Sequence, residues 1–204
     1  MTHQAMVYVV DDDPAVRDSL ALLLEQEDIA VETFNDAEGF LAACRSEPRR
    51  CAIVDIRMPG MDGMQLQAEL ARRAIPLPVI FLTGHGTVPM TVRAIKAGAI
   101  DFLVKPVSGS ALLESVQAAL AESERLSQQS VECQTAAMCI ASLTEREREV
   151  MLLAVEGLPN KEIGRRLGIS HRTVEIHKGR VMTKTGADTV LDLARIAEAG
   201  GLRS

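Results

Sequence analysis

The chain has 204 residues, 47% of them apolar and 25% charged, the balance of an ordinary globular protein and not of a disordered or collagen-like one. Its 22 Lys and Arg against 28 Asp and Glu leave a net charge of −6, which excludes a surface coated throughout with nucleic-acid-binding charge. One Tyr, four Phe and no Trp offer too few stacking platforms for a single-strand binder, a limit that does not touch double-stranded DNA.

Over residues 1–125 short apolar runs alternate with longer amphipathic stretches, the pattern of parallel strands joined by crossover helices. Strands are expected at 6–10, 30–34, 52–55, 79–83 and 100–104, and helices near 15–26, 37–46, 64–73, 88–97 and 110–124. Asp13 before Pro14 reads as a capping carboxylate and a first-turn proline, and Gly98 as a helix stop. Residues 126–141, rich in Ser, Gln and Ala and almost uncharged, read as a linker or a frayed helix extension. From 142 onward no strand-like run occurs, and four short helices are expected. Thr144 with Glu147 forms a capping box opening the first, Asn160 caps the second, Ser170 the third and Asp188 the fourth. The fold class is therefore α/β, a five-stranded parallel doubly wound sheet, followed by an all-α four-helix unit. The charge divides unevenly: −7 in 1–125, −1 in 126–141 and +2 in 142–204.

No apolar run approaches the roughly 18 residues of a membrane span, and the start lacks the basic flank and apolar core of a signal peptide, so a cytoplasmic protein without a membrane partner is expected. Cys44, Cys51, Cys133 and Cys139 show no metal spacing and read as reduced thiols. His3, His85, His171 and His177 are equally scattered, which disfavours a zinc enzyme.

In an open parallel sheet, chemistry collects beyond the carboxyl ends of the strands. There the chain offers Asp11 and Asp12 after the first strand, Asp55 at the third, Thr83 at the fourth and Lys105 after the fifth. Converging carboxylates repel unless a cation intervenes. A hard divalent ion with oxygen ligands suits them, Lys105 supplies a fixed charge for a phosphoryl oxygen, and Thr83 a hydroxyl. Together they suggest a phosphoryl group beside a carboxylate nucleophile.

Four segments carry a resemblance: Val10-Asp11-Asp12-Asp13, Asp55-Ile56-Arg57-Met58-Pro59-Gly60-Met61-Asp62-Gly63, Thr83-Gly84-His85-Gly86 and Asp101-Phe102-Leu103-Val104-Lys105-Pro106. By these, residues 1–125 resemble a response-regulator receiver domain. The resemblance implies that Asp55 accepts a phosphoryl group from a sensor histidine kinase. It also implies that Mg2+ (or Mn2+) is held by Asp12, Asp55 and the backbone carbonyl of Arg57, with Asp11 acting through a metal-bound water. It further implies a switch in which Thr83 moves to the phosphate and Phe102 turns inward, read out through the fourth helix and fifth strand as a homodimer.

In the tail, the second and third helices with their Gly-containing turn read as a helix-turn-helix. Stepping 100° per residue from a core-facing Val174 returns to Val181 and places Arg172, Glu175, Ile176, Gly179, Arg180 and Thr183 on the opposite half. Lys161, Arg165, Arg166, Lys178 and Lys184 flank that half and suit phosphate contacts. Ile176 matches a thymine methyl, Arg180 a guanine edge, and Glu175 a cytosine amine or a neighbouring Arg. Leu143-Thr144-Glu145-Arg146-Glu147, Asn160-Lys161-Glu162-Ile163, Leu167-Gly168-Ile169-Ser170 and Thr173-Val174-Glu175-Ile176-His177 resemble the LuxR-type DNA-binding domain, which adds Thr173 to the contact set. The pairing of the two domains, with Val88-Pro89-Met90 and Arg172-Thr173-Val174-Glu175, is similar to the FixJ subgroup.

The resemblance implies a phosphorylation-activated regulator of transcription. Its expected partners are a sensor histidine kinase, promoter DNA and RNA polymerase, and its expected action that of an activator, not an enzyme. The rival is a phosphatase of haloacid-dehalogenase type with an aspartyl-phosphate intermediate. It requires an acid two residues after the nucleophile, where this chain has Arg57.

Overall fold

The computed structural model describes residues 4–84 and 86–202, so His3 and His85 lie outside the described residues. The chain divides into two compact units, Met1–Ser127 and Gln128–Ser204.

The first unit is a parallel sheet of β1 (Met6–Val10), β2 (Ala30–Phe34), β3 (Arg50–Val54), β4 (Val79–Thr83) and β5 (Asp101–Val104), in the order β2-β1-β3-β4-β5. Between the strands run α1 (Pro14–Glu25), α2 (Ala37–Ala43), α3 (Gly63–Arg72) and α4 (Val88–Lys96), and α5 (Gly109–Ala141) follows β5. Alternate strand residues enter opposite cores, as the period of two requires. Tyr8, Val54 and Phe81 pack with Phe40 of α2 and Leu66 of α3. Val7, Val9, Ile53 and Ile80 pack with Leu24 of α1 and Leu112 of α5 on the other face. This is the doubly wound sheet expected.

Most boundaries of the strands and crossover helices fall within one residue of expectation, and two move further. β3 begins at Arg50, two residues before the expected start, and α2 stops at Ala43, short of residue 46. Between the readings open for 126–141, the structure has helix: α5 runs unbroken for 33 residues. No Gly or Pro interrupts 110–141, and Ala136 and Ile140 are buried, so low charge there marks a packed helix and not a loop.

The second unit holds the tail of α5 with α6 (Glu145–Val155), α7 (Asn160–Leu167), α8 (His171–Thr185) and α9 (Val190–Ala199). Leu143, Met151, Val181 and Leu193 form one core, and Val150, Ile163 and Val174 another. The Thr144–Glu147 capping box opens α6, and the Ser170 hydroxyl accepts from Thr173 N to open α8, as expected. Two expected caps are displaced. Pro159 precedes α7 with Asn160 as its first residue, and Thr189, boxed with Asp192, caps α9 in place of Asp188.

The described cysteines are free thiols, and burial pushes the Cys51 thiol up to about 12. No helix among the described residues is long and apolar enough to cross a membrane.

Candidate functional site

Strand register assembles the first site. Val10 of β1 pairs with Val54 of β3, so the next residues, Asp11 and Asp55, emerge side by side, and Asp55 N donates to Val10 O at 2.8 Å. Thr83 of β4 pairs with Val104 of β5, and Lys105 N donates to Thr83 O at 2.8 Å. Lys105 Nζ reaches Asp11 Oδ2 at 2.6 Å and Asp55 Oδ2 at 3.1 Å. Burial opposes the charge on Lys105, but hydrogen bonds and attraction from the two carboxylates outweigh it and raise its pKa above the ordinary lysine value.

Asp11 is buried, Asp55 half-buried and Asp12 exposed, and one oxygen from each lies within 4.8 Å of the others. Asp11 is already occupied: Oδ1 accepts from Asp13 N at 2.9 Å and Oδ2 from Lys105. Asp13 turns its own carboxylate to Ala15 N, capping α1. Arg57 N donates to Asp55 Oδ1 at 3.1 Å. Gly63 lets α3 start close beneath, since a Cβ there would stand 2.4 Å from Asp55 O. Three carboxylates against one ammonium leave a formal −2 on the cluster, and all the donors are hard oxygens. This set fits a divalent cation, with Asp12 presenting the most open carboxylate.

Thr83 is fully buried at the end of β4. Phe102 is half-buried on β5, its ring centroid 6.4 Å from that of Phe81. A Cβ on Gly86 would stand 2.9 Å from the Phe102 ring. The loop after β4 therefore lies against this aromatic, a contact not legible from spacing. Also unforeseen is Arg17, whose Nη1 donates to Asp11 O at 2.7 Å.

The second site is the outer face of α8. Val174 and Val181 are fully buried, and Arg172, Glu175, Ile176, Gly179, Arg180 and Thr183 are all exposed, Ile176 with half its surface open. Gly179 has no atom of the described residues within 4 Å of an added Cβ, so internal crowding does not demand glycine there. Thr173 sits in the first turn, its hydroxyl 2.8 Å from that of Ser170. Gly168, with φ +67°, turns the chain between α7 and α8, and Gly164 admits Ile169 O where a Cβ would stand at 2.7 Å.

The flanking cations are not equivalent. Lys161 is exposed. Lys178 Nζ donates to Asn160 Oδ1 at 3.2 Å, and Arg165 and Arg166 pair with Glu162. Lys184, itself exposed, donates to Glu147 Oε2 at 2.6 Å and to Ser142 O at 3.1 Å. Glu147, nearly inaccessible at 2% exposure, also accepts from Thr144 N at 2.9 Å. The Lys184 bond and the Thr144 amide hold its carboxyl down at about 2. Because the folded value lies below the ordinary 4.5, this pair stabilises the unit above that value and the effect is lost as pH falls toward 2. Acid titration followed by circular dichroism should show the loss in that window for wild type and a flatter profile for Glu147→Gln.

Two families match the chain: "Response regulator receiver domain" over residues 7–117 and "Bacterial regulatory proteins, luxR family" over 141–197. The chain is 40% identical over 202 residues to the transcriptional regulatory protein FixJ of Bradyrhizobium diazoefficiens, covering 99% of this chain and 98% of that one. It is 43% identical over 202 residues to FixJ of Azorhizobium caulinodans, covering 99% and 96%. Among solved structures it is similar to the response regulator StyR, with a TM-score of 0.82 at 40% identity over 96% of this chain and 99% of that one. Full-length FixJ from B. japonicum gives 0.59 at 39% identity over the whole of both chains.

Proposed function

Because the chain belongs to the response regulators that join a receiver domain to a LuxR-family DNA-binding domain, we propose that a sensor histidine kinase phosphorylates Asp55 and that the phosphorylated protein pairs on promoter DNA as an activator. The chain is a transcriptional response regulator. The observation that carries the finer reading is the convergence of Asp11, Asp12, Asp55 and Lys105 at one end of the sheet.

Asp55 is the phosphoacceptor. Its Oδ2 is held by Lys105 and its Oδ1 by Arg57 N, which orients the carboxylate while Lys105 stands ready to meet phosphoryl charge. Asp11, Asp12, Asp55 and the Arg57 carbonyl would hold Mg2+ or Mn2+. That ion, when bound, screens phosphoryl charge and offsets the excess negative charge of the carboxylates. Thr83 and Phe102 supply the switch, coupled through the packing of Phe102 on Phe81 and the Gly86 loop. The haloacid-dehalogenase reading lacks its acid: Arg57 occupies that position, and its contribution to Asp55 is a backbone N–H. Incubation with acetyl phosphate and Mg2+ followed by peptide mapping should place one phosphoryl group on Asp55. An unmodified Asp55 contradicts the assignment.

Pairing is assigned to α4 and β5. Val88, Val92, Ile95 and Val104 are 78%, 46%, 46% and 50% exposed, an apolar set that a second copy would cover. Ile95→Asp is expected to keep phosphoryl uptake and weaken dimerisation about tenfold or more, read by analytical ultracentrifugation with acetyl phosphate.

On DNA, α8 enters the major groove. Arg172, Thr173, Glu175, Ile176, Gly179, Arg180 and Thr183 face the bases and adjoining backbone, and Lys161 and Lys178 contact phosphates. Lys184 is left to its pairing with Glu147. RNA polymerase is the further partner of an activator, and the cytoplasm the compartment where kinase, promoter and polymerase meet.

A further inference from the structure

The carboxamide of Gln67 on α3 is unusual among the described side chains. It is 93% buried, with 7% of its surface exposed. Its Nε2 donates to Ala97 O at 3.1 Å, and its Oε1 has no partner among the described residues. The acceptor at Ala97 fixes which end of the amide points where, because the flipped amide would set oxygen against oxygen. An unpaired buried acceptor is a cost that leucine, with similar bulk, would avoid. The bond to Ala97 is what the amide contributes in return.

Ala97 ends α4, and α4 is thinly held. Ala94 is its one buried residue, and its N-cap, Thr87, makes no side-chain hydrogen bond to the first turn. Gln67 also stands between two spaces. A cavity of about 200 Å³ is lined by Leu70, Ile75, Leu77 and Ala97, and a groove of about 760 Å³ by Ala68, Arg93 and Lys96. Few apolar contacts, a missing cap and open volume on both sides describe a helix whose end can shift at small cost. The same helix carries the exposed Val92 and Ile95.

We propose that Gln67 is a positioning residue: its bond to Ala97 O holds the C-terminal end of α4 in the arrangement described here, and release of that bond accompanies the repositioning of α4 for pairing when Asp55 is phosphorylated. The half-satisfied amide both secures the helix and limits how firmly it does so, as a two-state element requires. The proposal rests on the reading of α4 as the pairing surface.

The test uses the full chain with Gln67→Met, close in length and without a donor, and Gln67→Leu as a second variant. Without phosphodonor, hydrogen exchange in peptides covering 88–99 should quicken about fivefold, the scale of one net hydrogen bond, while peptides of β1 and β3 keep wild-type protection. With beryllofluoride, which mimics the aspartyl phosphate, the variants should dimerise at about one-fifth the concentration wild type needs. Unchanged exchange over 88–99 in both variants overturns the proposal. So does equal quickening throughout the sheet, which marks Gln67 as a packing residue alone. If wild type binds beryllofluoride without dimerising, the pairing surface fails, while the exchange result still decides whether Gln67 holds α4.

Discussion

Asp55→Asn is expected to take up no phosphoryl group from acetyl phosphate and, in EDTA, to melt at a higher temperature than wild type. Both effects come from one carboxylate. Removing it deletes the proposed acceptor, the carboxylate that Lys105 and Arg57 N both hold. It also reduces the formal charge of the three-carboxylate cluster, where Lys105 is a single counterion. Repulsion from Asp11 and Asp12, about 1 kcal/mol each at such separations in a water-like dielectric, outweighs the lost attraction to Lys105 at 3.1 Å, so the net gain is a fraction of that. The corresponding prediction for wild type is a melting temperature that rises with Mg2+. Asp55→Asn should show a smaller rise, because one ligand has lost its charge. Calorimetry with and without Mg2+ checks both statements. An unchanged melting temperature in EDTA would mean that Lys105 already neutralises the cluster.

Arg180→Ala should keep the fold of the second unit and lose discrimination at one base pair of the operator. Arg180 is exposed on the face of α8 opposite Val174 and Val181, so truncating it disturbs no core. A bidentate arginine contact to guanine is worth about 1 to 3 kcal/mol of discrimination, a preference of roughly 5- to 150-fold that should disappear at that position. Lys161→Ala should weaken binding to all sequences alike and lower the salt slope by about one. Competition binding on a set of single-base operator variants separates the two outcomes. An Arg180→Ala protein with wild-type preferences at every position would remove Arg180 from base contact.

The residues at strand ends were legible because a parallel sheet places consecutive carboxyl ends together. Once five strands are recognised, Asp11, Asp55, Thr83 and Lys105 can lie nowhere but along one edge of the unit. The α8 face was legible for a similar reason, since 100° per residue from Val174 sorts exposed from buried side chains without knowledge of the other helices. Capping signals were legible where a proline or a Thr-x-x-Glu pattern accompanied them, as at Asp13 and Thr144. They misled at Asp188, where the neighbouring Thr189 found a partner in Asp192.

What stayed hidden depends on contacts across long stretches of chain. Lys184 and Glu147 are 37 residues apart, and nothing in the repeat of α8 shows that this lysine shares its ammonium with a buried carboxylate of α6. Gln67 and Ala97 are 30 apart, and nothing in a helical repeat distinguishes a buried glutamine from an exposed one. The tail of α5 was ambiguous because low charge suits both a linker and a helix that buries Ala136 and Ile140. The overall charge was also a poor guide by itself: −7 belongs to the receiver half and +2 to the half that matches the LuxR family.

A phosphoryl group on Asp55 should govern how strongly α8 is delivered to DNA. The direct measurement is promoter binding by the full-length protein, with and without acetyl phosphate and Mg2+, for wild type and Asp55→Asn in parallel. Pairing makes the second half-site contact intramolecular, so wild-type affinity should rise about tenfold or more on phosphorylation while Asp55→Asn stays at the unphosphorylated level. Equal affinity of wild type in the two states, with Asp55 shown to carry phosphate, would mean that the phosphoryl group does not govern DNA binding.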